Sequence, residues 1–521
     1  MSASSFLPPR ENQAPVTTHT LHQVLKDVFQ LNHFKPMQLE IIQAMLNNQH
    51  VFVQLRPGSG KSICYQLPAL LSEGITIVIS PLIALMHDQV LALQEKKINA
   101  CYLDSSLNQD QKTTTLHKIL AGEYRLIYVS PERFNHSYFL YCLRQLKIDR
   151  IIIDEAHCMS QWGHDFREDY LKLSRLKYML PNIPRIAITA TADAHTRADI
   201  IDLLHLNPVK TFVRYLPNPQ LTSYFIKKNN TKQQLIDFLT NLPPPLCGIV
   251  YCASRQQTED IATFLTQIGY QTYHYHAGMP SEARKVNQAA FQKATQGIMV
   301  ATVAFGLGID KSNIRFVAHV YLPPSIEHYI QESGRAGRDT LPAISWVCYG
   351  LNDFLLRNEY IKNSNLSSTH KKIKIKKLKQ SLAFCDGLVE RDNFLRYYFG
   401  ESTSIEGKTP FNTQRLQAIA HPMATVLTAM FYTQQNASLS EVIQILRGSN
   451  RFLYHHYALE QYSIYGRYTY SSVSFWRNTI RLMIAADLVE VSNRGQILRF
   501  TSHSLTFLKK LHQPLLRNNI D

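Results

Sequence analysis

Residues 51–62 read VFVQLRPGSGKS. Val51–Val53 is a short β-branched run, LRPGSGKS at 55–62 is a glycine loop, and a helical pattern follows. Strand, glycine loop and helix in that order form the context a phosphate-binding loop requires. Gly58 and Gly60, on either side of Ser59, allow backbone N–H groups to approach phosphates closely. Lys61 would reach the β and γ phosphates of ATP, and Ser62 would ligate Mg²⁺. The strict pattern has a glycine five residues before Gly60, where this chain has Leu55.

Similar short runs recur downstream of the loop: Ile75–Ile79, Leu126–Val129, Ile151–Ile153 and Ile186–Ile188. Each is nearly continuous in apolar character, as expected of strands covered on both faces. Helical segments alternate with them, which predicts βαβ units and a parallel sheet. Three prolines between Asn207 and Gln220 mark a linker. A second series follows, at Gly248–Cys252, Ile298–Thr302, Phe316–Val320 and Ile344–Cys348. The fold class is therefore α/β, with two parallel-sheet domains in tandem.

The 521 residues suffice for three or four domains, and 45% of them are hydrophobic, so most of the chain can bury a core. Lys plus Arg number 55 and Asp plus Glu 39, a net charge of +16. That excess favours a polyanionic partner. Most of it falls in the last third, where residues 360–521 hold 21 basic against 10 acidic side chains, including KKIKIKKLK at 371–379. No apolar run approaches the ~20 residues of a spanning helix, and no secretory signal is visible. A cytoplasmic protein is expected, nucleoid-associated if prokaryotic, with no membrane partner. The eight cysteines are scattered without a CxxC pair, which supports neither a disulfide framework nor a cysteine zinc site.

Directly after Ile151–Ile153 the chain reads DEAH, 154–157. A carboxylate at the C-terminal end of a strand faces the crevice where such sheets bind ligands. Asp154 can hold Mg²⁺, and Glu155 can orient and deprotonate the attacking water. QESGRAGRD at 331–339 lies in the second domain. Arg335 and Arg338, three apart, could stabilise charge developing on the γ-phosphate. Hydrolysis would then depend on closure of the cleft between the domains. Lys61, Asp154, Glu155, Arg335 and Arg338 are the candidate catalytic residues.

Taken together, GKS, DEAH, TATA at 189–192, ATVAFGLGIDK at 301–311 and QESGRAGRD resemble a superfamily-two helicase. CMSQWGHDFR at 158–167 is similar to the aromatic-rich loop of RecQ DNA helicases, and SPLIALMHDQV at 80–90 and YHAGM at 275–279 resemble other RecQ segments. The resemblance runs from about Leu21 to Leu508. It implies two RecA-like ATPase domains, a helical platform and a winged-helix domain. It implies an ATP-dependent, 3′-to-5′ helicase acting on single-stranded and duplex DNA in recombination and repair. The expected domains are 19–208, 209–350, 351–410 and 411–521, after a disordered lead over 1–18.

By the same resemblance, ATP is bound by Lys35 and Gln38 of FKPMQ (34–38), by Gly58 to Ser62, and by Gly308 and Asp310. Gln38 would read the adenine edge. His157, Trp162, His164, Phe166 and Arg167 are expected to contact DNA or couple it to hydrolysis, since aromatic rings can stack on splayed bases. EVIQILRGSN (441–450) and SFWRNTIRLMIAADLVEV (474–491) resemble the winged helix, with Arg447, Arg477 and Arg481 as phosphate contacts.

The chain departs from the family in three places. RecQ proteins usually carry a four-cysteine zinc site, yet LVERDNFLRYYFGESTSIEGKTP (388–410) has no cysteine, and Glu390 stands where the first ligand is expected. No zinc is expected; packing of Leu388, Phe394, Leu395 and Tyr398 would replace it. Lys35 replaces a usual arginine and Leu31 a usual aromatic, which would relax adenine selectivity. Pro57 stands where a threonine is common. The alternatives are an RNA-directed helicase, a DNA-stimulated translocase that does not separate strands, and a DNA-binding protein with a vestigial ATPase. A monomer is compatible with the sequence.

Overall fold

The computed structural model describes residues 16–163, 165–215, 217–306, 311–401, 417–459, 462–492, 496–504 and 506–507. His164, Gly308 and Asp310, and nearly all of the N-terminal lead, lie outside the described residues.

The first sheet has seven parallel strands: β1 (His50–Leu55), β2 (Ile75–Ile79), β3 (Ala100–Leu103), β4 (Leu126–Val129), β5 (Ile148–Ile153), β6 (Arg185–Thr189) and β7 (Val209–Arg214). Their spatial order is β3-β4-β2-β5-β6-β1-β7. The second sheet has six: β8 (Leu221–Lys227), β9 (Cys247–Tyr251), β10 (Thr272–Tyr275), β11 (Gly297–Ala301), β12 (Phe316–His319) and β13 (Ala343–Tyr349). Their order is β10-β11-β9-β12-β13-β8, again all parallel. Helices cover both faces, so the central strands β2, β9 and β11 are buried throughout.

The expected boundary at 208/209 is corrected. Val209–Arg214 is not linker or second domain; it pairs in parallel with β1 along six residues and closes the first sheet. The crossing between domains is the short stretch from Tyr215 to Gln220.

Helices Leu351–Asn363, Ser368–Cys385 and Arg391–Tyr398 form the platform. Leu388, Phe394, Leu395 and Tyr398 are all buried there. Among the described residues, four more helices, the last Val473–Ala485, and the antiparallel pair β14 (Val489–Val491) and β15 (Leu498–Phe500) make up the winged-helix region. One continuous apolar cluster runs from Tyr329 and Val347 of the second sheet domain, through Leu378 and Leu382 of the platform, to Trp476 and Ile480. The platform and the winged helix are thus welded to the second ATPase domain by shared core.

Candidate active site and coupling loop

Three adjacent strands carry the chemistry at their C-terminal ends. The glycine loop follows β1, TATA begins at the end of β6, and DEAH follows β5. Gly58 and Gly60 have φ of +73° and +76°, a region that glycine enters without steric cost. Gly60 caps the helix Lys61–Leu70, whose N-terminal N–H groups favour an anion. Gln54 Nε2 donates to Ala192 O at 2.8 Å and ties β1 to the TATA segment.

The loop is gripped from the FKPMQ side. Lys35 Nζ donates to Gly58 O at 3.1 Å. The Gln38 amide donates to Ser59 O and Gly60 O at 3.1 and 3.0 Å, and its oxygen accepts from Lys35 N at 2.8 Å. Gln38 therefore shapes the phosphate loop here, and reading an adenine edge requires those bonds to open. Leu31 is 42% exposed.

Lys61 Nζ lies 3.4 Å from Leu55 O and 3.5 Å from Arg56 O, within electrostatic reach of Glu155 and Asp154. Glu155 adopts a left-handed φ of +46°, a strained conformation for a residue with a Cβ. Its Oε2 is 3.3 Å from His157 Nδ1, which is also 3.0 Å from Thr189 Oγ1. The two carboxylates behave oppositely. Burial and then the neighbouring Glu155 charge push Asp154 up to about 7, against the pull of Lys61. Burial opposes ionisation of Glu155 too, but His157, Lys61 and Arg335 outweigh it and hold the group at about 2.

The second domain closes over this site. A Cβ built on Gly334 would come within 2.9 Å of Pro57, and one built on Gly58 would lie 3.9 Å from Arg338 Cγ. Arg335 is 3% exposed, and its Nε has no hydrogen-bond partner among the described residues. The structure thus brings Arg338 to the glycine loop and Arg335, next to Gly334, within electrostatic reach of Glu155.

The aromatic-rich loop leaves the same strand end. Arg167 donates to Pro81 O at 2.8 Å and to Asp165 Oδ2 at 3.2 Å, so the loop is pinned to the SPLIALMHDQV segment. Trp162 is in ring contact with two histidines: its ring centroid is 4.5 Å from that of His370, nearly parallel, and 5.2 Å from that of His195. Phe166 is partly exposed. His157 is fully buried, so it cannot touch DNA; of its two expected roles only coupling is open to it. Among the described residues, one group has metal-ligand spacing: His157, Cys158 and Asp165. Cys158 Sγ donates to Asp165 Oδ2 at 3.7 Å and lies 3.7 Å from His157 Nε2, and these hydrogen bonds account for the closeness of the three side chains.

Arg481 requires correction. It is 3% exposed and forks onto Asp386, so it holds the winged helix to the platform and is not a DNA contact. Arg447 and Arg477 are partly exposed; they bond Ser471 O at 2.9 Å and Asn352 Oδ1 at 2.5 Å.

Sequence reasoning missed Lys377, Asp193 and Glu327, which meet at the junction of three domains. A signal was present. Leu378, Ser381, Leu382 and Cys385 form the buried stripe of their helix, and Lys377 falls inside it. A lysine in an apolar stripe is expected to have carboxylate partners.

Comparison with known proteins agrees with this layout. The DEAD/DEAH box helicase family matches residues 35–200, the helicase conserved C-terminal domain 230–340, and the RQC domain 414–519. A DEAD-box helicase bound to ssRNA and UDP-BeF superposes with a TM-score of 0.53 at 16% identity, covering 73% of this chain and 85% of that one. The Lhr helicase of Mycobacterium smegmatis, bound to ssDNA and AMP-PNP, gives 0.50 at 16% identity, covering 91% of this chain and 59% of that one. These likenesses establish the fold alone. The ATP-dependent DNA helicase RecQ of Haemophilus influenzae is 36% identical over 500 residues, covering 94% of this chain and 80% of that protein. That of Bacillus subtilis is 34% identical over 480 residues, covering 91% and 81%. Identity of this order along the ATPase domains, platform and RQC region places the chain in the RecQ family of ATP-dependent DNA helicases.

Proposed function

We propose that this chain is a DNA helicase that couples ATP hydrolysis to 3′-to-5′ movement on single-stranded DNA and to duplex unwinding, in recombination and repair. One observation carries the reading. The aromatic-rich loop and the DEAH carboxylates are one continuous segment, joined through His157, which bridges Glu155 and Thr189. A base stacking on Trp162 would move the segment that positions Glu155.

The residues fit ATP and Mg²⁺. Ser59 Oγ and Arg335 Nε are buried without partners among the described residues, and Asp154 is an acid whose ionisation costs energy until a cation joins it. Ser62 and Asp154 would hold Mg²⁺, which when bound neutralises phosphate charge. Lys61 binds the β and γ phosphates. Glu155, ionised at neutral pH, accepts a proton from the attacking water. Arg335 and Arg338 offset charge that develops on the γ-phosphoryl group. Since both arginines come from the second domain, turnover requires the closed cleft. Arg447 and Arg477 contact duplex phosphates.

A zinc ion does not fit the platform, and we read that subdomain as held by packing. Cys385 lies in the core, Glu390 Oε2 caps the helix Arg391–Tyr398 by accepting from Asn393 N at 2.8 Å, and Glu401 Oε2 accepts from Tyr215 N at 3.1 Å. Glu406 lies outside the described residues.

ATP turnover with and without single-stranded DNA or RNA, combined with displacement from 3′-tailed and 5′-tailed duplexes, tests the reading. DNA-stimulated turnover with displacement from the 3′ tail is expected. Stimulation by RNA alone, stimulation without displacement, or no turnover would each replace it with one of the alternatives.

A further inference from the structure

The basic run 371–379 reads as a solvated helix face or a nucleic-acid contact, but Lys377 is neither. It is 8% exposed, and its ammonium has three partners, one for each N–H. They are Asp193 Oδ2 at 2.8 Å, Glu327 Oε1 at 2.7 Å and Trp162 O at 3.1 Å. Asp193 immediately follows TATA and caps the helix Ala194–Leu203, accepting from Thr196 N at 2.8 Å. Glu327, 1% exposed, lies in the first turn of the helix Ile326–Ser333, which leads directly into Arg335 and Arg338. Trp162 O belongs to the aromatic-rich loop. One ammonium therefore binds both ATPase domains and the DNA-sensing loop.

The same helix engages Trp162 a second time. His370 is seven residues, two turns, before Lys377 and so lies on the same face. Its ring stacks on the indole at 4.5 Å. His195, two residues after Asp193, also lies against the indole, at 5.2 Å. Burial opposes the charge on Lys377, but Glu327 and then Asp193 outweigh it and raise its pKa, while both carboxylates are held below their usual range. Without the lysine, the buried Glu327 and the partly buried Asp193 would face each other as like charges across the domain junction, a repulsive arrangement.

We infer that Lys377 is a positioning residue for hydrolysis: it holds the cleft in the closed arrangement that brings Arg338 to the phosphate loop and Arg335 within electrostatic reach of Glu155, and it ties that closure to the position of Trp162. The inference rests on the DNA-stimulated ATPase activity proposed above. Because the Trp162 carbonyl is one of the three partners of this ammonium, the position of the loop and closure of the cleft are coupled through it. The phosphate loop itself lies wholly in the first domain and makes none of these contacts.

The test is steady-state ATPase kinetics of the full chain, with Lys377→Met, Lys377→Arg and Glu327→Gln beside the parent. In Lys377→Met, the kcat of DNA-stimulated hydrolysis should fall tenfold or more. The KM for ATP and the concentration of a single-stranded oligonucleotide giving half-maximal stimulation should stay within about threefold of the parent, following the rate–binding distinction. Lys377→Arg should recover at least a third of the lost rate, because charge rather than packing is the requirement. Glu327→Gln conserves shape, and it should lower kcat with the same unchanged KM; it decides the matter if Lys377→Met does not fold. A folded Lys377→Met with parental kcat, a rise in KM with kcat unchanged, or a parental Glu327→Gln would overturn the inference. A parent without DNA-stimulated turnover would remove the underlying reading instead, and the latch with it.

Discussion

Arg481 Nε and Nη2 each lie 2.8 Å from a different carboxylate oxygen of Asp386, a bidentate pair between the winged helix and the platform. Tyr349 Oη donates to the same carboxylate at 2.9 Å, so Asp386 links three structural units. Removing one member of a buried pair leaves an uncompensated charge and costs about 3–5 kcal/mol. Arg481→Met should therefore lower the melting temperature markedly and loosen the winged helix from the rest of the chain, as read by limited proteolysis between 385 and 420. If the variant melts like the parent yet binds duplex DNA more weakly, Arg481 is a DNA contact after all.

Trp162→Ala should leave basal ATPase in place and reduce its stimulation by single-stranded DNA at least tenfold. Stacking on one base is worth about 1–3 kcal/mol, enough for a change of that size. Intrinsic fluorescence checks the same ring directly. Trp346 and Trp476 are buried, so quenching by iodide reports mainly on Trp162. Saturating single-stranded oligonucleotide should change that quenching. Full stimulation in the alanine variant would make the loop a structural element only.

Much of this was legible in the sequence because central parallel strands are coated on both faces and read as unbroken apolar runs. The strands that escaped notice are β3, β7, β8 and β10, and these are the edge strands of the two sheets. An edge strand has fewer buried positions: β8 is partly or fully exposed at every residue, and β7 buries only Phe212. Prolines 208, 217 and 219 surround β7 and made it resemble linker. Motif residues were legible for a different reason, since phosphate chemistry fixes their type and spacing locally. The latch at Lys377 was not, because its partners Trp162, Asp193 and Glu327 are scattered along the chain and only the fold brings them together. The misreading of Arg481 has the same origin: its partner Asp386 is 95 residues away.

Asp154→Asn should stabilise the metal-free protein while abolishing turnover. Asp154 has a folded value of about 7, raised from an ordinary carboxyl near 4. Between those values the folded state binds more protons than the unfolded state, so stability falls as pH rises through the interval and the full penalty is present above it. In EDTA, the variant should melt higher than the parent at pH 8, by a few degrees at ~2–4 °C per kcal/mol, and the gap should close toward pH 4. Equal melting curves at pH 8 would mean that Lys61 already neutralises the carboxylate.

The platform supplies the last prediction, that it folds and functions without zinc. Tetrahedral zinc needs four ligands, usually Cys or His, and residues 380–415 contain Cys385 alone of those types. That thiol is 2% exposed within the shared apolar cluster, and burial pushes it well above its ordinary range, away from the thiolate a metal requires. Acidic side chains remain, but carboxylate sites suit harder ions. Leu388, Phe394, Leu395 and Tyr398 join a cluster continuous with Trp476 of the winged helix, and on the zinc-free reading this packing carries the stabilising role. Leu388→Ala should therefore cost about 2–5 kcal/mol, as large-to-small changes in a core do. Elemental analysis of purified protein should find no stoichiometric zinc, and a chelator at fixed free Mg²⁺ should change neither melting nor duplex binding. About one zinc per chain, lost together with duplex affinity, would show that ligands from elsewhere in the chain complete a site and that packing alone does not hold the platform.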